Sequence, residues 1–186
     1  MGALHHRGTR RELYEVGEER RGRPRRDKVK LFFRLNPAIG EKVKQLYLRF
    51  PHLRASQSEL VGLGVDLLGQ QLDQMATALR REERILPAGV VDVESLYLMW
   101  NLAYPVVSDS AGTTIYLLPH QAVRLVDIRG LLRLQIRVNQ SDLLNLGLAL
   151  LAHQAVFPTK TAEMPAVPAG VVRTVDDLAA ALSAFV

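Results

Sequence analysis

The side chains best placed to do chemistry are basic, and they crowd the front of the chain. Of the 24 lysines and arginines, 15 lie in residues 1–54 beside six acids, a local charge of +9. Residues 55–186 hold nine basic and 13 acidic side chains, or −4, so the overall +5 conceals a front third suited to a polyanion. Two groupings stand out there. Arg20, Arg21, Gly22, Arg23, Pro24, Arg25 and Arg26 read RRGRPRR, and Lys28, Lys30 and Arg34 alternate with apolar residues. Side chains of this kind donate to phosphates or to guanine O6 and N7, although a cluster of arginines is also an ordinary solvated tail.

Other chemistry has less to stand on. The chain has no cysteine, which excludes disulfides, thiolate catalysis and cysteine-ligated zinc and fits a reducing compartment. His5 and His6 lie near the amino terminus, and His52, His120 and His153 have no acidic or histidine partner at ligand spacing, so no metal site is expected. There is no P-loop and no G-x-S-x-G, and Gly62-Leu-Gly64 lies inside a helical pattern rather than after a strand. The expectation is a protein that is not an enzyme and takes no cofactor. The most apolar run, 143–157, is too short for a membrane span and contains Asn145, His153 and Gln154, and the amino terminus has no apolar signal core. A cytoplasmic, nucleoid-associated location is therefore expected.

Compared with itself, the chain shows a repeat. Residues 56–71 read SQSELVGLGVDLLGQQ and residues 139–154 read NQSDLLNLGLALLAHQ. At a constant offset of 83, Gln57/Gln140, Ser58/Ser141, Leu60/Leu143, Leu63/Leu146, Gly64/Gly147, Leu67/Leu150, Leu68/Leu151 and Gln71/Gln154 are identical. Ser56 with Glu59, and Asn139 with Asp142, form capping boxes, so each copy opens a helix. In the first copy Leu60, Leu63, Leu67 and Leu68 follow helical spacing. In the second, leucines occupy nearly every side, and such a helix must be buried almost all round. The two helices bury best against each other, across a pseudo-two-fold axis.

Carried upstream by 83, the repeat sets Val29–Leu35 opposite Gly112–Leu118, both rich in strand-forming residues. Pro37 and Pro119 then introduce second helical stretches. One is 38–50, with Ile39, Val43, Leu46 and Tyr47 on a face; the other is 120–134, with Ala122, Val126 and Leu131. The predicted order is strand, helix, helix, twice.

This unit resembles the ribbon-helix-helix family of DNA-binding proteins, the Arc and MetJ type, in which two strands pair into an antiparallel ribbon that enters the major groove. Two units in one polypeptide are similar to the TraY-type accessory factors of conjugative DNA transfer. The resemblance implies a mainly α fold with a short two-stranded antiparallel ribbon, a single-chain pseudo-two-fold arrangement complete in a monomer, and double-stranded DNA as partner. It places Lys28, Lys30, Phe32 and Arg34, and at the 83 offset Thr113, Ile115 and Leu117, outward as base readers, with Val29, Leu31, Phe33 and Leu35 facing the helices. The apolar character of the second set leaves open a face covered by other parts of the chain or by a protein. The resemblance also assigns Ser56, Gln57, Ser58, Asn139, Gln140 and Ser141 to phosphates at the two helix starts, where plain capping would produce the same residues.

The chain thus divides into a flexible basic arm (1–27), a first unit (28–75), a connecting segment with a helix at 91–103 (76–110), a second unit (111–157) and a terminal loop and short helix (158–186). Arg21-Gly22-Arg23-Pro24 resembles an AT-hook core for the minor groove, with a generic electrostatic arm as the alternative. In the connecting segment Leu96, Tyr97, Met99 and Trp100 pad the core. The functional expectation is a transcriptional regulator or an accessory factor of plasmid or conjugative DNA processing, with side-by-side assembly on repeated sites. The alternative is an antitoxin-like or scaffold module that binds protein through the apolar second strand and the C-terminal helix.

Overall fold

Short runs of β-branched and aromatic residues, each ended by a proline two positions on, set the two strands. A computed structural model describes residues 27–78, 85–105, 111–156 and 172–183. The first strand, β1 (Val29–Leu35), stops at Asn36, whose side-chain oxygen accepts the Ala38 amide at 2.9 Å, and Pro37 takes the first position of α1 (Pro37–Arg49). After the turn come α2 (Gln57–Ala78) and, in the connecting segment, the short α3 (Val93–Met99). The second half follows the same order with β2 (Ala111–Leu117), α4 (Pro119–Arg133) and α5 (Gln140–Val156), and α6 (Val175–Ser183) comes last.

The fold is mainly helical with one two-stranded antiparallel sheet, β1 against β2. Neither strand could satisfy its backbone alone, and each finds its partner in the other half. On one side of this ribbon lie α2 and α5, the centre of a single apolar core. Leu143, Leu144, Leu146, Leu148, Leu150 and Leu151 are all buried, so α5 is enclosed all round as its composition requires. Where α2 crosses α5, Gly64 meets Gly147. A Cβ on Gly64 would lie 2.7 Å from the Gly147 carbonyl carbon, and one on Gly147 would lie 2.7 Å from the Gly64 oxygen. The two glycines are 83 positions apart and share one contact, which only hydrogen side chains permit.

Leu96 and Tyr97 of α3 are buried and Met99 and Trp100 pack against the core, as expected of the connecting segment, although α3 is shorter than the predicted helix. The terminal α6 docks internally through Leu178 and Leu182, and the Arg54 amide just ahead of α2 donates to the Arg173 carbonyl at 2.7 Å. Two sequence expectations need correction. On α4 the buried residues are Gln121, Leu125, Ile128 and Leu132, while Val126 is 69% exposed and Leu131 also reaches solvent. The apolar residues of α4 are so numerous that periodicity does not choose a face. The second correction concerns β2 and belongs to the site. No helix among the described residues is long and apolar enough to cross a membrane.

Candidate nucleic-acid interface

In an antiparallel ribbon, residues directly opposite each other point to the same face. The register pairs Lys30 with Tyr116, Phe32 with Thr114 and Arg34 with Gly112, and these six make the face turned away from the helices. Lys30, Phe32, Arg34, Gly112 and Thr114 are exposed and Tyr116 is half-buried. The other face carries Leu31, Phe33, Leu35, Thr113, Ile115 and Leu117, so the expected alternation of β1 holds, apart from the exposed Val29 at its open end.

For β2 the expectation is overturned. Ile115 and Leu117 are 0% exposed and Thr113 is half-buried, so none of the three lies on the outer face. The cause is a single residue. Pro119 follows Pro37 by 82 positions, whereas Gln140 follows Gln57 by 83, so the stretch from the start of α4 to the start of α5 is one residue longer than that from the start of α1 to the start of α2. A one-residue change of register exchanges the two faces of a strand. The proline spacing was the available signal for Gly112, Thr114 and Tyr116. At the 82 offset Phe32 pairs with its own counterpart, Thr114, and the Lys30–Tyr116 pair exchanges with Gly112–Arg34.

Each end of the ribbon is tied to a helix start. The Tyr116 amide donates to the Ser58 hydroxyl at 3.0 Å, and the Arg34 amide donates to the Ser141 hydroxyl at 3.2 Å, so each strand is held by the helix of the opposite half. Ser58 and Ser141, expected at phosphates, thus also lock the ribbon to α2 and α5. Ser56 and Asn139 cap: the Glu59 carboxylate accepts the Ser56 amide at 2.8 Å, and Asp142 and Asn139 exchange bonds of 2.8 and 3.0 Å. Gln57 is exposed at its helix start, and the Gln140 side-chain amide donates to the Phe32 carbonyl at 3.3 Å.

The junctions behind the ribbon are closed by two buried amides. Asn145 of α5 donates to the Arg34 and Ser141 carbonyls at 2.8 Å each and accepts the Asn36 amide at 3.0 Å. In the other half Gln121 accepts the Leu118 amide at 3.2 Å and donates to Asp66 at 2.7 Å, in the room left by Gly62, where any Cβ would collide with it. Neither residue was singled out in sequence, because a lone Asn or Gln in a leucine-rich helix carries no pattern.

Clefts open beside both helix starts. One, of about 390 Å³, is lined by Arg34, Asn36, Asn139, Ser141, Tyr97 and Tyr104. Burial pushes the Tyr97 and Tyr104 hydroxyls above their usual range, with the Asp142 carboxylate adding to it, and the rings meet edge to face at 5.3 Å. The other, of about 620 Å³, is lined by half-buried Lys28 together with Arg54, Tyr116, His120, Glu59 and Asp176. The basic residues Arg20, Arg21, Arg23, Arg25 and Arg26, with Gly22 and Pro24, lie outside the described residues. Among the described residues no three His, Asp or Glu side chains gather around a common point. Compared with family models, curated proteins and solved structures, the chain matches none.

Proposed function

We propose that this chain is a DNA-binding protein built as two ribbon-helix-helix units in one polypeptide, and that its β-ribbon enters the major groove. The observation that carries the reading is the outer face of the ribbon. Lys30 and Arg34 stand exposed at opposite ends of the two-stranded sheet, on the face that no described helix covers, with a capped helix start tied to each end. A two-stranded ribbon fits the major groove, lysine and arginine there donate to guanine, and helix starts favour phosphate. The basic residues 20–26 precede β1 directly and supply charge for the neighbouring backbone or minor groove. On this reading the protein regulates transcription or assists plasmid or conjugative DNA processing, and the genomic position of its site distinguishes the two.

The protein-binding alternative loses its two supports. Ile115 and Leu117 belong to the core, and the apolar face of α6 is spent on the domain. Genome-fragment selection followed by binding across a salt series tests the proposal. The wild type should enrich a defined site with steep salt dependence, and a Lys30→Ala, Arg34→Ala double variant should lose the site's preference over random DNA by about a hundredfold. Equal binding of both proteins to enriched and random DNA would remove the ribbon as the reader.

A further inference from the structure

We propose that the ribbon reads DNA in one orientation only, with its Arg34 end placed on a guanine beside a thymine, so that the target is not a palindrome. The inference rests on the DNA-binding reading above. A ribbon made of two identical strands presents the same residues at both ends. Here one end shows Arg34 against Gly112 and the other shows Lys30 against Tyr116.

The centre is biased as well. By register Phe32 pairs with its own counterpart Thr114, and it is 63% exposed, yet its ring leans toward one end. A Cβ at position 112 would lie 2.5 Å from the ring Cζ and 2.9 Å from Cε2, so the ring occupies the surface that a side chain there would fill. Gly112 is therefore what gives Phe32 its place, on the Arg34 side of the centre. The guanidinium offers a planar fork of donors that matches guanine O6 and N7, and the neighbouring ring offers an apolar surface to a thymine C5-methyl. At the opposite end Lys30 supplies a compact ammonium without fork geometry, opposite the half-buried Tyr116. Because both strands belong to one chain, every monomer carries this polarity.

Selection from randomised duplexes should yield a non-palindromic motif with adjacent guanine and thymine toward one end. The chain has no cysteine, so His52→Cys and Arg137→Cys, in the turns before α2 and α5, each accept a single iron chelate. Each should cleave one end of the enriched site, and the two should cleave opposite ends. Arg34→Ala should lower the preference for its guanine about tenfold to a hundredfold. Phe32→Ala, and Gly112→Val by displacing the ring, should each lower the thymine preference about fourfold with unchanged circular dichroism. A palindromic motif, or cleavage at both ends by each probe, overturns the polarity while leaving DNA binding intact. Failure to bind or enrich any duplex overturns both readings.

Discussion

The two halves of the chain share an order of elements and a pair of crossing glycines, yet they differ at positions that a homodimer would be forced to repeat. On the outer side of α1, Glu41 and Lys44 form an ion pair at 2.5 Å. Their counterparts on α4 at the 82 offset are Val123 and Val126, both exposed. Behind the ribbon, Asn145 answers to Gly62 and Gln121 answers to Ile39, so one junction is closed by an amide from α5 and the other by an amide from α4. The room that Gln121 needs is left by Gly62, the position that answers to Asn145. The comparison teaches that the halves are complementary: a polar group that would be doubled in a symmetric dimer occurs once here, with one set of partners.

The largest effect should come from the feature that the halves share most closely. Gly64→Val or Gly147→Val drives a side chain into the backbone of the facing helix, which has no rotamer to yield, and should cost about 3 kcal/mol in urea unfolding. Gly130→Ala on the open side of α4, where a Cβ meets nothing within 4 Å, should instead stabilise by about 1 kcal/mol. Equal effects at the two kinds of glycine would mean that the α2–α5 crossing is not close.

The unlike junctions come next. Asn145→Leu removes an acceptor from the Asn36 amide and a donor from the Arg34 carbonyl at a part-buried junction and should cost about 2 kcal/mol. Gln121→Leu should cost less, about 1 kcal/mol, because Leu118 is partly exposed and water can reach its amide. Equal losses would show that the junctions are equivalent despite their different chemistry.

The smallest effect concerns α3, added beside the start of α5, whose cap is an aspartate. Hydrogen bonds from the Ser95 side chain and amide hold Asp92 below the usual carboxylate range. A lowered folded-state pKa stabilises at pH above the unfolded value of about 4, and that contribution is lost as pH falls through the folded value. Trp100, the sole tryptophan, follows α3 directly, so its fluorescence should shift to the red below about pH 4. Asp92→Asn should remove that acid step. Asp177, held low chiefly by the Arg173 amide and then by Thr174, should loosen α6 in the same direction.

Much of this architecture was legible because it rests on local chemistry and one-dimensional pattern. Pro37 announces α1, the capping boxes announce α2 and α5, and the leucines of 143–151 demand complete enclosure. The outer face of β1 followed from alternation together with the resemblance. The face of β2 did not, because two offsets, 82 and 83, coexist in the repeat, and extending the clearer one into the strand turned it over. The face of α4 was equally undetermined, since Val123, Leu125, Val126, Ile128, Leu131, Leu132 and Leu134 leave no polar side to exclude.

By itself the sequence determined the elements, their order, the duplication and the basic front, since caps, prolines, apolar period and charge act within a few residues along the chain. The tertiary structure decided which residues stand together on the ribbon: Lys30, Phe32, Arg34, Gly112, Thr114 and Tyr116 meet only through the pairing of strands 82 positions apart. It also decided that Gly112 holds a place for Phe32 and that Asn145 closes the junction behind Arg34. The physical reason is common to these cases. Register, close approach and buried hydrogen bonding depend on distances between segments remote in sequence, and a single residue added between a strand and the helix behind it is enough to change them.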